Sequence, residues 1–158
     1  MSRRPHPGAR RVGWLSDLAP AERMAVRCLR ACNRDAGSDT QLTADLAMTL
    51  GPARGRNAKA VLSELLDCAR TYGRRPLCRH ACSCDCLGAD EAVFAALISH
   101  AMNDEHEEAT LLSALLVRPD MAQAFAGLVT EFSFAMSAMV RSAAAHVPQT
   151  HALRAVVH

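Results

Sequence analysis

The densest concentration of chemically capable side chains lies in one short segment. Within nine residues the chain has four cysteines and a histidine, which are Cys78, Cys82, Cys84, Cys86 and His80. Neighbouring thiolates repel one another, and a soft cation removes that repulsion while it cross-links a segment with little apolar material of its own. Zinc takes four such ligands in a tetrahedron, with Zn–S distances of about 2.3 Å. The sequence therefore predicts a metal site, first of all for zinc.

The spacing of these cysteines leaves other chemistry open. Zinc knuckles and bacterial ferredoxins use Cys-x2-Cys pairs, whereas the pattern here is Cys-x3-Cys-x-Cys-x-Cys. Residues two apart face the same side of an extended segment, so Cys82, Cys84 and Cys86 can form one row of sulfurs. Cys78 or His80 then folds back towards that row. One zinc ion, a thiolate-bridged cluster and Cu(I) all fit, an iron–sulfur centre is a further alternative, and metal-free redox or inert thiols are another.

The other three cysteines lie on predicted helices. Cys28, Cys32 and Cys68 each fall on an apolar stripe, where a free cysteine behaves as a small hydrophobic residue. Core packing is therefore the favoured interpretation for all three. Cys68 lies closest along the chain to the cysteine-rich segment, and it is the best candidate for an additional ligand.

The surroundings of the cluster favour thiolates in a reducing compartment. Three arginines flank it, and their positive field is expected to lower the pKa of the thiols; they are Arg74, Arg75 and Arg79. The basic N-terminus is not followed by an apolar core, so it does not predict a secretory signal. We therefore expect a cytoplasmic location, where thiols indicate metal binding, redox chemistry or packing.

Composition and periodicity predict an all-α protein with about six helices in a compact bundle. Half of the 158 residues are apolar and only 4% are aromatic, which suits helices packed through small side chains better than a β-sandwich. The 3.6-residue period predicts helices over 20–33, 40–50, 57–72, 91–102 and 105–117, and a last helix of about 25 residues from Pro119. A cysteine-rich loop, residues 74–88, separates the third helix from the fourth. No stretch predicts a membrane span.

The two ends of the chain are predicted to lie outside the folded helical domain. Residues 1–13 hold four arginines and almost no large apolar side chain, so they predict a disordered basic arm. A single helical domain follows over 14–146, and 147–158 predict a flexible tail. Within the domain, Asp90 is the predicted cap of the fourth helix, and Asp104 with Glu107 forms a predicted capping box for the fifth.

Charge is distributed unevenly and raises the question of nucleic acid. Residues 1–80 carry 15 Lys/Arg and 7 Asp/Glu, whereas residues 81–158 carry 3 and 9. The second and third helices could imitate a helix-turn-helix, whose recognition helix reads bases through its N-terminal residues. The candidates for contact with DNA are Arg54, Arg56, Asn57 and Lys59. The loop over 51–56 is longer than the turn of that motif, and a solvated basic face, or one that pairs with the acidic half of a partner, is the alternative.

The sequence favours a regulatory protein over an enzyme. It contains no glycine-rich phosphate loop, no Gly-x-Ser-x-Gly and no His-Glu-x-x-His, and no small-molecule substrate is evident. The last helix is rich in Met and Phe, a pattern typical of core or of a dimer seam. Phe134 falls off its main apolar stripe, which indicates a second buried contact, so a homodimer through that helix is one hypothesis. The leading hypothesis is a cytoplasmic zinc protein whose cysteine cluster braces the basic half against the acidic half and regulates binding to a partner or DNA. The alternative is a metal-braced adaptor or structural protein with protein partners alone.

Overall fold

A computed structural model describes residues 6–146 of the chain. Within that range the helices are α1 (Pro20–Ala31), α2 (Ala36–Leu50), α3 (Pro52–Tyr72), α4 (Ala89–Met102), α5 (His106–Ser113) and α6 (Ala122–Ala145). Two short strands, β1 (Arg11–Trp14) and β2 (Cys86–Gly88), pair in antiparallel fashion. Three 3-10 turns cover Pro7–Ala9, Leu15–Asp17 and Pro119–Met121. The predicted all-α fold with six helices is confirmed.

The last helix is the centre of the bundle. Helix α6 packs against α1, α3, α4 and α5, and its inward residues Phe125, Val129, Phe132 and Met136 are buried. Phe132 meets Phe94 of α4, with ring centroids 6.4 Å apart. Among the described residues one helix, Pro119–Ala145, is long and apolar enough to cross a membrane by length and composition, with 39% of its most apolar window buried. A core helix in a globular bundle meets the same criterion, and the contacts of α6 are those of a core helix.

Helices α2 and α3 are joined by a single residue. Gly51 has φ 86°, a conformation that residues with a side chain seldom adopt. Helix α3 begins directly afterwards, so the loop predicted over 54–56 is wrong and that segment is helical. A Cβ atom on Gly55 would lie 2.7 Å from the backbone of Ala47. The two helices therefore cross in close contact, which a larger residue at position 55 would prevent.

Two helix starts also differ from the prediction. Helix α2 begins four residues earlier than predicted because Asp35 caps it: its carboxylate accepts a hydrogen bond from the Ser38 N–H at 2.8 Å. Helix α5 has no side-chain cap, so the predicted capping box of Asp104 and Glu107 does not form. Asp104 instead takes a left-handed conformation, with φ 58°.

The N-terminal segment is ordered from residue 6 onward. Strand β1 pairs with β2 in the cysteine-rich loop, with Trp14 opposite Cys86, and the buried Gly8 lies against the start of α4. The prediction of a disordered arm over 1–13 is therefore wrong for residues 6–13. Its first five residues, and the predicted tail over 147–158, lie outside the described residues.

Candidate metal centre

A buried arginine of α1 organises the cysteine-rich loop. Arg30 has no solvent exposure and forms an ion pair with Glu91 of α4, with Nε 2.7 Å from Oε1. Its guanidinium also donates to three backbone carbonyls of the loop, at 3.2, 2.5 and 2.5 Å, which belong to Ala81, Cys84 and Cys86. A guanidinium offers five N–H donors in a fixed fork. The loop therefore surrounds the guanidinium of Arg30, and these hydrogen bonds fix the backbone that carries the thiols.

The partner of this arginine ties the loop to the start of α4. The Glu91 carboxylate accepts the backbone N–H of His80 at 2.8 Å and that of Gly88 at 3.0 Å. Burial alone would raise the pKa of Glu91, but the donors from Arg30, Gly88 and His80 outweigh burial and hold the pKa below its usual value. Gly88 is the N-cap of α4, so the prediction of Asp90 in that role is wrong.

Two of the three arginines beside the cluster, Arg75 and Arg79, hold a carboxylate and backbone carbonyls. Arg75 binds Asp90 through two hydrogen bonds of 2.6 and 2.8 Å, and the same carboxylate accepts the Cys78 N–H at 2.9 Å. Arg79 donates to two carbonyls at the end of α1, at 2.8 and 2.7 Å. Burial and then Asp90 raise the pKa of the Cys78 thiol, although Arg75 opposes them. The expectation that this field lowers thiol pKa values is therefore wrong at Cys78.

Three of the predicted ligands come together in the folded chain. The ligand atoms of His80, Cys84 and Cys86 all lie within 4.8 Å of one another. His80 Nδ1 is 3.0 Å from Cys86 Sγ and 4.0 Å from Cys84 Sγ. The three side chains are half-buried, so the group is accessible from solvent. Among residues 6–146 this is the group that could hold a metal ion, and we call it the His80–Cys84–Cys86 group.

The N-terminal segment orients the histidine of this group. His80 Nε2 lies 2.8 Å from the carbonyl oxygen of Ala9, which can only accept a hydrogen bond. The neutral ring therefore carries its proton on Nε2, and Nδ1 directs a lone pair towards the two sulfurs. A backbone carbonyl on the second nitrogen is the usual support of a metal-binding histidine. No sequence pattern in 1–13 indicated this contact, because the arm carries no apolar periodicity.

The two cysteines of the group are joined to each other in the structure. Cys84 and Cys86 form a disulfide, with Cα atoms 5.5 Å apart. The thiolate is the form of cysteine that binds metals, so metal binding here requires prior reduction of this bond. The same three side chains thus offer two chemical states, a dithiol with a metal-binding histidine and a disulfide.

The other three predicted ligands lie elsewhere in this structure. Cys78 contacts His6, with Sγ 2.9 Å from Nδ1, and Cys82 is exposed with its sulfur 4.0 Å from the Ser38 hydroxyl. Cys68 is buried in α3 beside the beginning of α6, and burial raises the pKa of its thiol. A site with four cysteine ligands is not assembled here, and the participation of these three stays a prediction.

Cys28 in α1 and Cys32 at its C-cap are core residues, as predicted. Cys28 and Cys32 are buried in the main apolar cluster of the bundle. Burial first, and the neighbouring Cys32 second, raise the pKa of Cys28 to about 12. Burial also raises the pKa of Cys32. Neither thiol ionises near neutral pH.

The four predicted nucleic-acid contacts do not share one surface. Arg54 and Asn57 line a cavity between α3 and α6, and Arg56 is exposed. Lys59 instead pairs with Asp39 of α2 at 2.9 Å. The one-residue connection between α2 and α3 is also shorter than the three- or four-residue turn of a helix-turn-helix.

Comparison of the chain with family models, with curated proteins and with solved structures finds no match.

Proposed function

We propose that this is a small regulatory protein that binds zinc through the His80–Cys84–Cys86 group when its two thiols are reduced. The observation that supports the proposal is the position of His80 Nδ1, 3.0 and 4.0 Å from the two sulfurs, on a ring whose other nitrogen is held by a carbonyl. Zinc readily combines nitrogen and sulfur ligands in a tetrahedral site. A water molecule completes the four positions. Iron–sulfur clusters ordinarily use four cysteines, so three mixed ligands favour zinc.

Oxidation exchanges the zinc-binding state for the disulfide state. When hydrogen peroxide is the oxidant, the two thiolates give up two electrons and the Cys84–Cys86 bond forms. The O–O bond of the peroxide breaks, two protons from solvent complete two water molecules, and the zinc ion is released. A dithiol reductant returns two electrons and two protons and becomes a disulfide itself. The site therefore senses both zinc and thiol oxidants.

We expect the N-terminal segment to change its packing when the site passes from the zinc-bound to the disulfide state. Strand β2 begins at Cys86, which pairs with Trp14 of β1, and His80 holds the Ala9 carbonyl. A change at the two sulfurs therefore acts directly on the docking of residues 6–14. The sequence hypothesis placed this effect at the junction of α3 and α4, whereas the contacts of the loop favour the segment 6–14 and the end of α1.

A protein partner suits this arrangement better than DNA. The pairing of Lys59 with Asp39 removes one cation from the predicted DNA-reading surface, and the remaining three residues border an apolar cavity or solvent. We therefore propose a non-catalytic adaptor or regulator with protein partners, acting in the cytoplasm, where reducing conditions make the dithiol state accessible.

Zinc stoichiometry tests the proposed ligands. We expect reduced protein to bind one zinc ion per chain by elemental analysis, and peroxide treatment to release it. His80→Ala, Cys84→Ser and Cys86→Ser should each weaken zinc binding by at least about 100-fold, because even supporting residues cost 10–100-fold when removed. Cys82→Ser is the matched control, since this neighbouring thiol faces Ser38. Zinc binding unchanged in His80→Ala, or lost in Cys82→Ser, contradicts this ligand set.

Limited proteolysis tests the regulatory part separately. Arg10 and Arg11 are exposed cleavage sites for trypsin beside and within β1. We expect the cleavage rate at these two residues to differ between zinc-bound and disulfide protein, while cleavage at the exposed Arg70 of α3 stays constant. If cleavage at Arg10 and Arg11 is equally fast in zinc-bound and disulfide protein, the state of the site does not change the N-terminal segment, and the proposed regulation is wrong.

A further inference from the structure

An exposed aromatic side chain lies beside a cavity on the bundle surface. Phe134 of α6 is 69% exposed, although most large apolar side chains of that helix are buried. It borders a cavity of about 530 Å³ between α3 and α6, which is also lined by Arg54, Glu131, Ala138 and Arg141. A large exposed apolar group next to a cavity with a polar rim is typical of an interaction surface.

The rim of the cavity carries both signs of charge. Glu131 and Arg141 lie on α6 and Arg54 lies on α3, and all three are exposed. The ion pairs found within residues 6–146 involve none of them. A partner that satisfies this rim must therefore bring an acid to the arginines and a base to the glutamate.

The order of these residues along α6 identifies such a partner. Glu131 lies five residues before Met136 and Arg141 five residues after it, while Phe134 and Ala138 lie two residues to either side. When a second α6 lies antiparallel about a two-fold axis at the level of Met136, each Glu131 faces the Arg141 of the other copy. Each Phe134 then faces the small Ala138 and the cavity of the other copy. The surface is complementary to itself, as an isologous interface requires.

We propose that this face of α6 forms a two-fold homodimer in which Phe134 of each copy fills the cavity of the other. Ala135 and Ala138 leave the helix surface low enough for two helices to approach to about 8–10 Å. Buried aromatic anchors of this kind supply much of the affinity of an interface, and oppositely charged rims fix its register. None of the metal-binding side chains lies on this face of α6, so the dimer and the zinc site can be tested independently.

Sedimentation of the full chain over a dilution series gives the first test. We expect a monomer–dimer equilibrium whose dissociation constant rises about 30-fold or more in Phe134→Ser, the factor typical of a buried aromatic anchor. Leu111→Ser is the matched control, because Leu111 is 74% exposed on α5 and does not line this cavity. A monomer at every concentration, or a dimer unaffected by Phe134→Ser, overturns the proposal.

Charge exchange gives a test that is specific for the two-fold arrangement. Glu131→Arg places arginine opposite Arg141, and Arg141→Glu places glutamate opposite Glu131, so each variant alone should be monomeric where the wild type is dimeric. In a mixture, both contacts between the two variants are again Arg–Glu, and native mass spectrometry should detect the heterodimer by its intermediate mass. Single variants that still dimerise, or a mixture that stays monomeric, overturn this pairing of the helices.

Discussion

The core of the bundle and the cysteine-rich loop are held by different forces. The core contains side chains without solvent exposure, such as Leu62, Leu97 and Phe132, and these are stabilised by burial of apolar surface. In residues 74–88 the buried apolar side chain is Leu87, and a buried arginine satisfies the loop carbonyls instead. The difference shows that hydrogen bonds from one buried guanidinium can take the place of apolar packing in a loop without a core of its own.

A metal ion has a different role in a loop that is held by a buried ion pair. The sequence hypothesis used the metal as a brace for a segment without packing of its own. The ion pair of Arg30 and Glu91 links the loop to α1 and α4. We therefore expect zinc binding and disulfide formation to change the chemistry of the thiols more than the fold of the loop. Such a pair is costly when broken, because one charge is then left buried without a partner.

Removal of the ion pair between Arg30 and Glu91 should have the largest effect on stability. We expect Arg30→Met to lower the free energy of unfolding by about 3–5 kcal/mol, because Glu91 is left buried without its counter-charge. Urea unfolding measures this loss. The double variant with Glu91→Gln, which removes the unpaired charge and keeps one of the two acceptor oxygens used by the backbone donors, should regain part of the stability. A single variant close to wild type would mean that this pair does not hold the loop.

A truncated side chain in the core should lower the stability of the bundle and leave its zinc affinity unchanged. Leu62 is fully buried in α3, and Leu62→Ala should cost about 2–5 kcal/mol through lost burial and the cavity left behind. The fraction that remains folded should bind zinc with unchanged affinity, because the thiols are positioned by Arg30 and not by this part of the core. Weaker zinc binding by folded Leu62→Ala protein would show that the two regions are coupled.

The periodic parts of the chain could be predicted from the sequence because their cause is local. Val61, Leu62, Leu65 and Ala69 recur at the helical period, and all four are buried as predicted. The approach of Cys84 to Cys86 was also within reach, since residues two apart in an extended segment face one side. The same rule placed Cys82 in that row, which is wrong, because a turn at residues 82–83 carries Cys82 towards Ser38. These features depend on neighbours within a few residues.

The support of the site could not be predicted, because its partners are distant along the chain. Arg30 contacts residues 51 to 61 positions away, and nothing in its own helix distinguishes it from a solvated arginine. The contact between His80 and Ala9 spans 71 positions, across a segment predicted to be disordered. The same distance explains why Cys78 was grouped with the other thiols, although it contacts His6.

Removal of zinc should have a moderate effect if the loop is held by charge. With free zinc at 100 times its dissociation constant, binding contributes about 2.7 kcal/mol to stability. A chelator should remove this increment from the reduced protein and leave its helical circular dichroism intact at room temperature. Unfolding on chelation would instead show that the metal is required for the loop and the bundle.

Acid should weaken the loop through Glu91. Because the folded state holds the pKa of Glu91 below its usual value of 4.5, the ionised carboxylate contributes stability above that value. This contribution is lost as the pH falls through the lower pKa of the folded state, with a slope of at most about 1.4 kcal/mol per pH unit for one proton. Unfolding curves of wild type and Glu91→Gln over this range should converge towards acid. Parallel curves would contradict the lowered pKa.

Substitution of Lys59 should have the smallest effect on stability, and it distinguishes an ion pair within the bundle from a contact with DNA. Its ion pair with Asp39 is partly exposed, with side-chain exposures of 16% and 31%, so Lys59→Gln should lower stability by about 0.2–1 kcal/mol. Arg56→Gln, at an exposed position of the same helix, is the control and should leave stability unchanged. If Lys59 bound DNA phosphates instead, its removal would reduce the slope of log affinity against log salt by about 0.9. A salt series with duplex DNA on both variants separates these roles, since an ion pair within the bundle changes the unfolding curve and leaves that slope alone.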